Sequence, residues 1–141
     1  MADLVQVVAQ RRLPIEQAQD KVRAFAAQAG DRKQPKLLMA LDGLFNVLDV
    51  ERSSVIAGLD RFGARQKELA VTLREDYQRL RGLQSDPASA ASDVHELTQR
   101  VTWATQVFQD RRQSLRYACE VPGKIEQRLF ALARTIQDAL E

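Results

Sequence analysis

The sequence predicts an all-α protein: a long antiparallel helical hairpin, with N-terminal helices completing a three- or four-helix bundle. Three observations carry this expectation. From Leu41 to Leu83, positions taken alternately four and three apart read Leu41, Phe45, Leu48, Arg52, Val55, Leu59, Phe62, Gln66, Leu69, Leu73, Asp76, Leu80 and Leu83, and ten of the thirteen are apolar. A strand pattern of period two cannot produce that row, whereas one face of a helix does. A second row runs from Val94 through Leu97, Val101, Ala104, Phe108, Arg111, Leu115, Ala118, Pro122, Ile125, Leu129, Leu132 and Ile136 to Ala139. Finally, only six Gly and four Pro interrupt the 141 residues, so local helix propensity agrees with the periodicity.

The elements follow in order. Residues 3–29 hold a short stripe of Leu4, Val8, Arg11, Ile15, Ala18, Val22, Phe25 and Ala29, with Pro14 inside it. Proline fits a first helical turn but costs about 3 kcal/mol in a helix interior. The stripe therefore reads as a helix to about Arg12 and another from about Pro14 to Ala29. Gly30 suits the left-handed residue that ends a helix, and Pro35 suits the first turn of the next.

The long helix is expected over 36–83. Gly63 is read as a site of close helix approach, with Gly43 and Gly58 left between close approach and a bend. Gly82 and Leu83 read as its stop. Two restarts fit, Asp86-Pro87 and the acidic cap Asp93 with Glu96 three residues on. The phase of the second row survives Pro122-Gly123, which favours one helix over 86–141 kinked near Pro122, with a short break as the alternative. The whole, 1–141, is expected to be a single helical-bundle domain, with 1–30 as an N-terminal helical pair.

Polar residues in the two rows test the register. With the turn centred near residue 86, Asp76 is expected to meet His95, Arg52 to meet Glu120, and Arg111 to lie near Gly58 to Gly63. Buried polar residues in such a seam can set pairing at a cost in stability. A His95–Asp76 pair would be a pH-sensitive latch.

Chemistry-bearing motifs are sparse. The net charge of +2 comes from 21 basic and 19 acidic side chains spread along the chain, without a basic tail, so nucleic acid is a possible partner but not the favoured one. His95 is the lone histidine and Cys119 the lone cysteine, read as a partly buried structural thiol. No phosphate-cradling glycine loop, paired-cysteine motif or nucleophile elbow is present. No catalytic residue, metal ligand or cofactor is therefore assigned. The N-terminus lacks a signal-peptide pattern and no apolar run spans a bilayer, so a cytoplasmic location is expected.

A thin second face remains on the last helix: Trp103, Val107, Tyr117 and Val121. Burial of this face by the N-terminal helices is the favoured reading. The alternative is that it binds a second protomer or another protein, since Trp and Tyr concentrate at interface centres. The functional expectation is a non-catalytic interaction or scaffold module working through helix–helix contacts and self-associating. A nucleic-acid-associated regulator and a small-ligand sensor bundle are the alternatives.

Overall fold

In a computed structural model describing Met1–Glu141, the chain forms five α-helices and one 3-10 turn, with no strand. The fold is all-α and bundle-like. Helix α1 (Ala2–Ala9) and helix α2 (Ile15–Gln28) are separated at Pro14, whose fixed φ of −52° and extended ψ of 141° place it immediately before α2. Gly30, at φ 58°, is the only residue in the left-handed region; it opens a 3-10 turn, Gly30–Arg32, that feeds directly into helix α3 (Lys33–Ser85). Pro35 lies in the first turn of α3, where its missing N–H breaks no helical bond.

Helix α3 runs 53 residues and passes through Gly82 without a stop. The reversal comes later. The Asp86 carboxylate accepts a hydrogen bond from the Ala88 amide at 2.9 Å, the local bond by which an aspartate shapes a turn. Helix α4 (Ala91–Ala118) then begins between the two expected restarts, beyond Asp86-Pro87 and just ahead of Asp93. The expected kinked helix is two helices: α4 ends at Ala118, and α5 (Val121–Leu140) starts with Pro122 in its first turn. Pro122 has no N–H to give to the carbonyl four residues back, so the ladder opens there. Cys119 (φ −64°, ψ −19°) and Glu120 (φ −79°, ψ −19°) nevertheless stay in the right-handed region. That is why the apolar phase runs on across the break.

The chain folds as two compact units, one comprising Met1–Ile56 with Glu120–Glu141, the other Ala57–Cys119. In the first, an aliphatic core joins Val5, Val8 and Ala9 of α1, Ala18, Val22 and Ala26 of α2, Leu37, Ala40, Leu44 and Leu48 of α3, and Ile125, Leu132 and Ile136 of α5. A Cβ built on Gly43 would lie 3.4 Å from Val5 Cγ2, so α1 crosses α3 at Gly43. The close approach expected at Gly63 falls here instead; nothing lies within 4 Å of a Cβ at Gly63.

The second unit is an antiparallel hairpin of the later part of α3 and α4. Leu80, Leu97 and Val101 form its buried centre, with Leu73, Leu83 and Val94 around them. Phe62 and Phe108 are half-buried. Gln66 is buried and donates from Nε2 to the Phe108 carbonyl at 3.1 Å, which pins the two helices in register. Asp76, 7% exposed, accepts from Arg100 Nη2 at 2.8 Å, with Arg79 at 4.0 Å.

These bonds correct the expected register. Asp76 pairs with Arg100 rather than His95, and Arg52 pairs with Glu126 at 2.6 Å rather than with Glu120. Glu120 takes Lys124 at 3.4 Å along its own helix. Both displacements run in one direction: α3 continues to Ser85 and α4 starts only at Ala91, so the turn centres later than residue 86, and the partners of Asp76 and Arg52 lie five and six residues further along the returning chain than expected.

One row position also moves. Leu44 is buried in the core, whereas Phe45, which the strict alternation of four and three selected, is 53% exposed. An ideal helix drifts about 20° per heptad from a 3.5-residue repeat, so an alternation that fits Leu48 to Leu83 slips when extended backwards. Leu44→Ala is expected to cost about 2–5 kcal/mol of stability, and Phe45→Ala less than about 1 kcal/mol despite the larger group removed. Urea unfolding followed by circular dichroism compares the two; equal losses would place Phe45 back in the core.

Candidate functional site

The outer faces of α3 and α5 in the first unit form an apolar groove. Leu38, Leu41 and Phe45 come from α3, and Leu129, Phe130 and Ala133 from α5, with Asp42 and Glu126 on the rim. Its volume is about 620 Å³. The geometry follows from sequence spacing. Each helix carries two adjoining apolar rows; one row (Leu44, Leu48; Ile125, Leu132) enters the core and the next faces outward. Phe45 and Phe130 head that outer row, and Phe130 is 68% exposed.

The second apolar surface lies on α4. Trp103 is 72% exposed and Tyr117 63% exposed, while Val107 is half-buried. Val121 belongs to the start of α5, where it packs against the aliphatic core of the first unit. The expected covering of Trp103 and Tyr117 by the N-terminal helices does not occur, because α1 and α2 are used in the core with Leu44, Leu48 and Ile125. Across the molecule none of the eight aromatic side chains is fully buried: Phe25, Phe62 and Phe108 are half-buried and the other five, Tyr77 included, are exposed. Tyr77 uses its hydroxyl against Thr105 at 3.2 Å.

Arg128 on α5 makes a third feature, which periodicity did not single out. Its side chain is buried, with the residue 8% exposed. Nε donates to the Val8 carbonyl at 2.7 Å and Nη1 to the Leu13 carbonyl at 2.9 Å. Helix ends leave carbonyls without intrahelical partners, and the α1–α2 corner receives these donors from a residue more than a hundred positions away. Burial lowers the pKa of the guanidinium, and Glu51 opposes that shift. Glu51 itself is held by Arg11 at 2.8 Å. The signal was present in the sequence: Arg128 follows Ile125 by three and precedes Leu132 by four, so it sits on the core row of an otherwise aliphatic helix face.

The remaining expected site residues are dispersed. His95 is exposed and has no ion-pair partner. Arg111 is exposed, with no carboxylate within 4 Å. Cys119 is exposed at the α4–α5 joint rather than partly buried, since the helix ends one residue before it. No group of three His, Cys, Asp or Glu side chains lies close enough to hold a metal ion, and no helix is long and apolar enough to cross a membrane.

Arg128→Met removes both donors from the Val8 and Leu13 carbonyls and is expected to lower stability by about 1–3 kcal/mol, with Arg128→Lys recovering part of the loss. Chemical denaturation reads both variants, and an unchanged midpoint in Arg128→Met would show that the corner holds without the strap.

In comparisons with known protein families, with curated proteins and with solved structures, nothing matches this chain.

Proposed function

We propose that the chain is a non-catalytic protein–protein interaction or scaffold module, acting in the cytoplasm and associating with copies of itself through its exposed aromatic surfaces. The observation that carries this reading is the division of apolar residues. The core is built from Leu, Val, Ile and Ala, while Phe45, Trp103, Tyr117 and Phe130 face outward. Aromatic side chains bury large areas and dominate interface energetics, so leaving four of them in water favours a partner that covers them. The α3–α5 groove is shallow and apolar, a surface against which a partner helix could lie.

The test is solution mass across a wide concentration range, by light scattering, for wild type, Trp103→Ala, Phe130→Ala and the double variant. The expected result is a concentration-dependent oligomer that at least one of these substitutions weakens about thirtyfold, matching the 2 kcal/mol of an interface hot spot, with helicity unchanged. A wild type that stays monomeric at every concentration removes self-association. If immobilised wild type and double variant then retain the same proteins, the aromatic surfaces are not the interface.

A second reading, a nucleic-acid-associated regulator, has one observation in its favour. Arg61, Arg65 and Lys67 on α3, and Arg111, Arg112 and Arg116 on α4, are all exposed and none forms an ion pair. The Gln66–Phe108 bond brings these two stretches alongside each other. Asp60, Glu68 and Asp110 flank them and dilute the charge, which ranks this reading second. Nucleic-acid binding that falls steeply with added salt would promote it, and no binding at low salt would dismiss it.

A further inference from the structure

The charges of the α3–α4 hairpin nearly cancel in sum but not in space. The inward row of α3 includes Leu59, Gln66, Leu73 and Leu80, spaced by seven, and the residue after each turns onto one flank of the helix. Those residues are Asp60, Lys67, Arg74 and Arg81. On α4 the inward Val94, Val101, Phe108 and Leu115 are followed in the same way by His95, Thr102, Gln109 and Arg116. Tyr77 and Thr105 show that the two flanks share one side of the hairpin. Each stands four places after an inward residue, Leu73 and Val101, and their hydroxyls meet at 3.2 Å. Arg112, four places after Phe108, belongs to the row of Thr105.

That face carries five cations, Lys67, Arg74, Arg81, Arg112 and Arg116, and one carboxylate, Asp60. All five cations are exposed and none takes part in an ion pair. The opposite face holds Glu68, Glu75, Asp93, Glu96 and Asp110. Four cations stand with them, Arg61, Arg65, Arg79 and Arg100, and the last two reach Asp76 from that side. Glu68 and Asp110, which dilute the cluster beside the Gln66–Phe108 bond, therefore point away from Lys67, Arg112 and Arg116. Between the cations the surface is low: Gly63 and Ala70 are half-buried, and nothing lies within 4 Å of a Cβ at Gly63. Counted outward from the Gln66–Phe108 bond, the cations extend from Arg116 to Arg81 over roughly 34 Å at 1.5 Å per residue. That is about one helical turn of a nucleic-acid duplex.

We propose that this face binds duplex nucleic acid through the phosphate backbone, without reading its sequence. Four of the five cations are arginines, whose planar donors match phosphate oxygens. An anionic membrane fits less well, because helices that lie on a bilayer bury a row of large apolar side chains, and Tyr77 is the one such side chain on this face. A single strand also fits less well. Proteins that hold single strands stack the bases on aromatic platforms, whereas the Tyr77 hydroxyl is engaged by Thr105 and Trp103 and Tyr117 belong to the opposite face. The proposal rests on the nucleic-acid reading above and gives it a defined surface. It is separate from self-association, because Phe45, Trp103, Tyr117 and Phe130 all lie outside the face.

The experiment follows the fluorescence anisotropy of labelled DNA and RNA duplexes of roughly two helical turns, each in two unrelated sequences, as the full chain is added at several salt concentrations. A single strand of the same length and vesicles containing phosphatidylserine are the competing probes. Duplex binding that ignores sequence is expected, its log affinity falling against log salt with a slope of about −4 for five neutralised phosphates. Replacing Arg74, Arg112 and Arg116 together by Gln is expected to weaken it at least about tenfold and to bring the slope to about −2. Replacing Arg61 and Arg65 by Gln, on the opposite face, is expected to change affinity by less than about threefold. All five positions are exposed, so circular dichroism is expected to show unchanged helicity in both variants. Equal weakening by the two variants would overturn the face while leaving nucleic-acid binding standing. No duplex binding at low salt would overturn both. Tighter binding of the single strand than of either duplex, or vesicle binding without duplex binding, would also overturn the proposal.

Discussion

A single helix face has to be covered along more than fifty residues, and the rest of the chain is placed by that demand. On α3 the buried row begins with Leu37, Leu44 and Leu48 and ends with Gln66, Asp76 and Leu80. An exposed row of that length would forfeit roughly 1.5–3 kcal/mol for each large aliphatic side chain left in water. The early part is met by α1, α2 and α5, and the later part by α4 alone. The two coverings differ in kind. Four helical segments can enclose a wholly aliphatic centre, whereas a two-helix contact has room for only a narrow buried strip. Polar residues fill out that strip: Gln66 reaches the Phe108 backbone and Asp76 reaches Arg100.

That contrast bears on what each polar contact is worth. Asp76 is nearly buried while Arg100 is more than half exposed, so solvent screens the pair and it acts more as a register mark than as a source of stability. Arg52–Glu126 and Arg11–Glu51 are exposed on both sides and contribute still less. Arg128 is different in kind. Its guanidinium bonds are to backbone carbonyls, the one to Val8 buried and the one to Leu13 partly so, where water competes less than at the surface.

Much of the architecture was legible because aliphatic periodicity survives from sequence to structure. The row from Leu48 to Leu83 faces inward throughout, and in the second row only Arg111 turns out. What periodicity could not supply was anything depending on a difference of one or two residues. Whether Leu44 or Phe45 enters the core hinges on the small mismatch between 3.5 and 3.6 residues per turn. Helix α3 runs past Gly82 because one glycine costs only about 1 kcal/mol in a helix, less than the packing of Leu80 and Leu83 supplies. The later turn then moved the partners of Asp76 and Arg52, which is why Asp76 found Arg100. The aromatic face of α4 was legible as residues but not as exposure, since coverage depends on where α1 and α2 go. The groove at Phe45 and Phe130, and the strap at Arg128, needed the third dimension: each arises where rows from separate helices meet.

The first unit is assembled from both ends of the chain, Met1–Ile56 and Glu120–Glu141, whereas the second is one uninterrupted stretch. During synthesis the hairpin of Ala57–Cys119 can close as soon as it leaves the ribosome. The N-terminal helices, though made first, must wait with Val5, Val8 and Leu44 uncovered until Ile125 to Ile136 emerge to complete their core. Within residues 1–141 the helices made earliest are thus completed after the hairpin that follows them, and until then their apolar faces stay open to solvent.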